Sequence, residues 1–142
     1  MDNRNNNTRK AIVKIMTVNR TAEQVFDFFK DVKKSMEAGG AARSVTMGSD
    51  GWWSFDHIAG GRAKIKHTYL DRKAGVMDHV FVGAGIEWHA YVRIVPNQDG
   101  ATMTWLFMRP DGLSDEEFEK QLLGFDKEIL LWQDALENHQ TS

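Results

Sequence analysis

The chain is 142 residues long, carries a net charge of −2 and contains no cysteine. That length suits one domain with its own core. The absence of cysteine excludes disulfides, thiolate metal sites and a cysteine nucleophile, and it suits a reducing compartment; the slight negative charge argues against a nucleic-acid partner. No apolar run is long enough to span a membrane, and the first residues lack the apolar stretch of a signal peptide, so a cytoplasmic protein is expected.

Met1 to Lys10 is polar, rich in Asn and without periodicity, and reads as a disordered tail before a single domain over residues 11–142. Ala11 to Val18 is β-rich and predicts a first strand. Thr21 with Gln24 forms the signature of a capping box, and Val25, Phe26, Phe28, Phe29 and Val32 give the helix behind it a wide apolar face. A second short helix is expected over Asp31 to Ala38, stopped by Gly39 and Gly40. From Ala41 the period changes to two, which predicts strands at about 42–48, 51–57, 62–70, 75–82, 86–95 and 101–109. The gaps carry turn chemistry, from Ser49-Asp50-Gly51 to Asp99-Gly100, so the strands should form an antiparallel meander.

The last segment, Ser114 to Asn138, is the longest periodic one. Phe118, Leu122, Phe125, Ile129, Trp132 and Leu136 recur at spacings of four and three, which places them on one stripe of a helix about 36 Å long. Ser114 with Glu117 forms a second capping box, and Leu113 with Phe118 a hydrophobic staple. A stripe of that length needs one broad apolar surface, and the one-sided strands supply it. The expected fold is α+β: a curved antiparallel sheet of about seven strands around a long C-terminal helix, with two short helices after the first strand.

Several strings resemble the SRPBCC superfamily, also called START-like or helix-grip, in its polyketide cyclase/dehydrase-like branch. They are Thr21 to Phe29, Trp52-Trp53-Ser54-Phe55, Gly75 to His79, Arg93 to Asn97 followed by Asp99-Gly100, and Arg109-Pro110 leading into Ser114 to Phe118. The resemblance covers nearly the whole chain after the tail. It implies a deep cavity between sheet and helix that holds a lipid or an aromatic, polyketide-like small molecule, and no cofactor. It assigns no reaction, and no residues match the catalytic set of the characterised aromatase/cyclases. The segment Ile58-Ala59-Gly60-Gly61 departs from the turn the family has there.

Alternation along the strands predicts the inner face. Trp53, Phe55 and His57 should point inward, as should Ala63, Ile65, His67 and Tyr69, then Met77, His79 and Phe81. Pairing Leu70 with Val76 sets His67 opposite His79, with Cβ atoms about 5 Å apart, and continuing across Gly60-Gly61 sets Trp53 beside His67. On the next strand the apolar set containing Trp88 should face in, with a bulge absorbed by Gly83 or Gly85; simple pairing would instead add His89 to the two histidines. On the last strand Met103, Trp105 and Phe107 should face in. Gly124 either lets the long helix approach the sheet closely or shapes the cavity entrance, or it is simply a tolerated surface glycine.

Each of these features has a plain structural reading beside the functional one. Trp53, Phe55, Phe81, Trp88, Trp105, Phe107 and Phe125 are either ordinary core or, with His57 and Tyr69, a ligand wall. His67 and His79 are either satisfied core histidines or an acid/base pair; two ligands are fewer than a zinc site needs, so no metal is expected unless His89 joins them. The residues therefore support a carrier of a hydrophobic small molecule or a cyclase- or dehydratase-type enzyme using His67 and His79, and the resemblance implies a third class, an interaction module of the chaperone-ATPase-activator kind. The oligomeric state, a homodimer included, is left open. Folds of the NTF-like dehydratase kind begin with helices, whereas this chain begins with a strand.

Overall fold

Both capping boxes form as the sequence predicts. Thr21 Oγ1 accepts from the Gln24 amide at 3.1 Å while the Gln24 side chain accepts from the Thr21 amide at 2.9 Å. Ser114 and Glu117 make the same reciprocal pair at 3.1 and 2.9 Å. In the computed structural model, which describes residues 8–138, these caps open α1 (Ala22–Lys30) and α3 (Asp115–Asn138). Between α1 and α2 (Val32–Ala38) there is only Asp31, whose carboxylate caps α2 by accepting from the Lys34 amide.

The strands are β1 (Ala11–Val18), β2 (Ala42–Met47), β3 (Trp53–His57), β4 (Arg62–Asp71), β5 (Val76–Gly83), β6 (Ile86–Asn97) and β7 (Gly100–Met108). They form one curved antiparallel sheet in the order β1-β7-β6-β5-β4-β3-β2. Strands β2 to β7 are a meander, as expected. Strand β1 returns to pair with β7, so the α1–α2 link crosses from one edge of the sheet to the other. This α+β arrangement, with a long helix laid across the concave face, is the helix grip.

Residues 1–7 of the expected tail lie outside the described residues. Its last residues, Arg9 and Lys10, are bonded: the Lys10 carbonyl accepts from the Arg109 amide at 2.9 Å, and Lys10 Nζ meets Glu119 at 2.7 Å. That second contact is the first of a row along β1. Lys14 pairs with Asp126 at 2.8 Å, Gln133 donates to the Thr17 carbonyl at 3.2 Å, and Glu137 accepts from the Asn19 amide at 2.9 Å. The helix members Glu119, Asp126 and Gln133 are seven residues apart, two turns, so all lie on one edge of α3. Each contact alone is weak. Together they set the lateral position of the helix over β1.

The core divides in two. The larger cluster lies under α3 and α1 and centres on Met16, Val25, Met103, Trp105, Phe118 and Trp132. The smaller, Val32, Ala42, Val45, Phe55, Ala63 and Ile65, lies between α2 and strands β2 to β4. Phe81 touches both. Five of the six stripe residues of α3 are buried, and Trp132 is the most connected of them: its ring stacks on Trp105 at 5.7 Å and meets Phe29 edge-on at 5.1 Å. Its indole N–H donates to the Ser35 carbonyl at 2.7 Å in a buried position. Gly39 passes so close that a Cβ there would lie 2.9 Å from the indole nitrogen, which is why α2 ends on glycine against this ring. No helix among the described residues is long and apolar enough to cross a membrane.

The Trp132 bond yields a test. Trp132→Phe keeps an aromatic ring in the stack but removes the indole donor, leaving the Ser35 carbonyl with the Gly39 amide alone at 3.0 Å. Urea unfolding should show a loss of about 0.5–1.5 kcal/mol, the net worth of one hydrogen bond, and a loss below a few tenths would mean that the bond does not hold α3 to α2.

Candidate functional site

Between the two core clusters the concave face is not filled. A cavity of about 790 Å³ lies there, under the edge of α3 that faces away from β1. Its floor comes from β4 and β5 through Ile65, His67, Met77, His79 and Phe81, and from β6 and β7 through Trp88, Trp105 and Phe107. Gln121, Gly124, Phe125, Glu128 and Leu131 of α3 form the roof, at spacings that keep them on one helical face. Helix α2 closes one side with Val32, Ser35 and Met36. The exposed residues Ile58, Gly60, Arg62, Lys127 and Leu131 mark the rim.

Local conformation explains which residues reach this space. Ala84 and Gly85 both have positive φ, 52° and 76°, so β5 and β6 join by a two-residue turn that pairs Gly83 with Ile86 and Phe81 with Trp88. Trp88 faces in, as patterning predicts, and no bulge is needed. His89 is on the outer face, bonded to Glu87 at 2.7 Å, so the row of three histidines does not form. At the β3–β4 turn, Gly60 and Gly61 have φ of 106° and 83°, and nothing lies within 4 Å of a Cβ built on either. Gly124 is likewise clear of neighbours, so it does not serve a close approach of helix to sheet; it borders the cavity.

His67 does pair with His79, but by a different route from the expected one. The turn pairs Asp71 with Val76 and Leu70 with Met77, one residue off the predicted register, and a bulge between His67 and Tyr69 restores it. The bulge turns Tyr69 outward, where it is 56% exposed, which corrects its expected inward orientation. Trp53 also departs from expectation: it pairs with Ile65 rather than lying beside His67, because the β3–β4 turn is longer than assumed. It packs against the smaller core cluster, and neither Trp53 nor Tyr69 borders the cavity. Phe55, His57, His67, His79, Phe81, Trp88, Trp105, Phe107 and Phe125 do, which brings nine of the expected site residues together.

The electrostatics follow from this placement. The two imidazoles meet edge-on with ring centres 6.3 Å apart. Burial lowers the pKa of His67, and burial together with the neighbouring His67 lowers that of His79 to about 4, against a smaller opposing effect of the Met77 backbone. Both rings are therefore neutral at pH 7. His57, nearer the rim, uses Nδ1 to accept from the Ala59 amide at 3.1 Å. From the roof, Glu128 faces the same space, and burial alone pushes its carboxyl up to about 7. Sequence reading missed Glu128, although a helical wheel holds the signal: it lies three residues after Phe125 and four before Trp132, on their side of the helix. The α2 wall was missed as well, since α2 reads from sequence only as a short amphipathic turn.

Comparison with known proteins bears on the fold. No family model matches the chain, and no curated protein matches it at a significant level. Among solved structures, an uncharacterised protein from Bacillus thuringiensis superposes with a TM-score of 0.75 at 12% identity, covering 89% of this chain and 98% of that one. The structure of Ara h 8.0201 gives 0.68 at 10% identity, covering 89% and 97%. DynU16, a protein of the dynemicin biosynthetic locus, gives 0.69 at 15% identity over 89% of this chain and 46% of its own. The chain thus shares the helix-grip fold of these solved structures.

The two perturbed groups make opposite contributions to the pH dependence of stability. Between about pH 4 and 6.5 the unfolded chain protonates His79 and the folded chain does not, so this group makes stability rise with pH. Between 4.5 and about 7 the folded chain holds the Glu128 proton and the unfolded chain does not, so this group makes stability fall with pH. His67 acts in the direction of His79; His57 and the rim cations Arg62 and Lys127 are the other charged or titratable groups facing the space. Urea unfolding from pH 4.5 to 6.5 should therefore find the wild type rising only gently with pH, since His79 and Glu128 nearly cancel and the contribution of His67 is left over. Glu128→Gln should gain up to about 3 kcal/mol over that window and His79→Phe should lose stability across it. Parallel profiles for all three would show that the groups are not desolvated.

Proposed function

We propose that this protein binds a hydrophobic small molecule, a lipid or a flat polycyclic aromatic of polyketide-like type, in the cavity under α3. The observation that carries this reading is the hollow of about 790 Å³ between two packed cores. Its size falls within the range of small-molecule sites, about 300–1,000 Å³. Trp88, Phe107 and Phe125 supply flat apolar walls, and Phe81 and Phe55 the far end. His67 and His79, both neutral, offer a donor and an acceptor to a ligand hydroxyl or carbonyl. A cysteine-free chain with no membrane-crossing helix among its described residues suits a carrier in the cytoplasm.

A catalytic role of the cyclase or dehydratase kind is the second reading, and the histidine pair favours it. Two neutral imidazoles against an apolar wall can pass a proton from one carbon of a bound substrate to a leaving oxygen, which is the minimum for an aldol-type cyclisation and dehydration. The interaction-module reading needs no hollow, and the hollow weighs against it.

Native mass spectrometry of freshly purified protein should show a bound mass, and N-phenyl-1-naphthylamine should gain fluorescence saturably on adding protein. The absence of both would sink the binding reading. Gly124→Leu gives a sharper check, because a Cβ at this position at the cavity border has no neighbour within 4 Å. Replacing a helical glycine should raise stability by about 0.5–1 kcal/mol while weakening or slowing probe uptake. A stabilised variant with unaltered uptake would place the probe elsewhere.

A further inference from the structure

Glu128 has no evident structural purpose. It lies mid-helix on the face of α3 turned to the cavity, among Gly124, Phe125, Leu131 and Trp132. Among the described residues, no hydrogen bond and no neighbouring charge offsets its burial. A structural carboxylate in an apolar setting is ordinarily paired, because an isolated one costs far more to bury than a leucine would.

The other charged and titratable groups around the cavity do not serve as its partner. Arg62, at the rim, is engaged by Asp56 at 2.8 Å. Lys127 is the next residue along the helix and is exposed at the rim. His57 is turned to its own loop through Ala59. His67 and His79, across the hollow on β4 and β5, are neutral, and no hydrogen bond or ion pair joins either to Glu128. The inner surface thus presents aromatic faces, two neutral imidazoles on one wall and one carboxyl without a cation on the other.

The complement of such a surface is an apolar molecule with a positive end. An ammonium facing Glu128 would ionise the carboxyl and gain a charge-assisted hydrogen bond in a water-poor setting. Aromatic rings such as Phe125 and Trp88 attract the same cation through their faces. A fatty acid or other anionic amphiphile would set like charge against the carboxylate. We infer that Glu128 is the polar anchor of the cavity and that the ligand is an aromatic or polycyclic molecule carrying one basic nitrogen. This assignment rests on the reading of the cavity as a binding site and narrows it to one chemical class.

Three probes with the same ring and different charge separate the two. 1-Naphthylmethylamine, 1-naphthalenemethanol and 1-naphthoic acid are titrated calorimetrically at pH 7 into the full chain and into Glu128→Gln, in two buffers of different ionisation enthalpy. The amine should bind about tenfold tighter than the alcohol, as expected for a hydrogen bond to a charged group, and the acid more weakly than either. In Glu128→Gln the ratio of amine to alcohol affinity should fall to about one. Binding of the amine to the wild type should release a fraction of a proton as the carboxyl ionises, and the alcohol should release none; this readout needs no variant. An amine no tighter than the alcohol, a preference that survives Glu128→Gln, or amine binding without proton release would each overturn the role of Glu128 while leaving the cavity as a site. Failure of all three probes to bind would overturn the binding reading and the anchor with it.

Discussion

The geometry of this molecule depends on how one side of α3 is held. Trp132 stacks on Trp105 of the sheet, bonds the Ser35 carbonyl of α2 and rests on Gly39, so that one indole ties the long helix to the sheet and to the link that crosses it. The polar row from Lys10–Glu119 to Glu137–Asn19 holds the same helix along β1. All of these contacts lie toward the β1 side or the α2 end. Among the described residues, no hydrogen bond or ion pair ties the opposite edge, from Gln121 through Glu128, to β3, β4 or β5. A helix fastened along one edge over a concave sheet leaves a wedge of space on the other.

That space is costly in the usual terms of packing, since close-packed interiors have few voids larger than a water molecule. It persists because each side of it is a separately packed cluster: the larger core needs no atoms from β2 and β3, and the smaller needs none from α3. Collapse would require α3 to pivot about Trp132 and break its bond to Ser35. The fold therefore keeps the hollow open through the rigidity of its frame. Gly124 and the Gly60–Gly61 turn add room at the border, where a Cβ would have no neighbour within 4 Å.

The same partition governs the electrostatics. Ionisable groups that face the hollow are removed from bulk water without being enclosed by partners, so His67, His79 and Glu128 are all driven toward their neutral forms. For the histidines and the carboxyl this shift has opposite consequences with pH, and the fold carries both without a strong net dependence. A site of this kind presents groups ready to donate or accept protons, which is what either a selective binder or an acid/base catalyst requires.

Most of the architecture was legible in the residues alone. Capping boxes, turn glycines and the change of period from 3.6 to 2 are local signals, and they specified every helix and strand to within a few residues. The binary pattern was enough to turn Trp88, Trp105, Phe107 and Phe125 to one side, because a one-residue slip would have moved whole apolar sets into water. The pairing of His67 with His79 was read correctly although the turn that leads to it was not: an extra residue in β4 compensates for a shorter connection, and backbone alternation cannot reveal such a bulge. That is why Tyr69 emerges on the outer face; Trp53 pairs with Ile65 for a separate reason, the position of the β3–β4 turn. What only the tertiary structure decided is the height and tilt of α3 over the sheet. An apolar stripe says that a helix must be covered, and not how closely. The difference between a filled core and a hollow is set by long-range contacts such as Trp132 with Ser35, made across 97 residues of chain, which leave no periodic trace in the sequence.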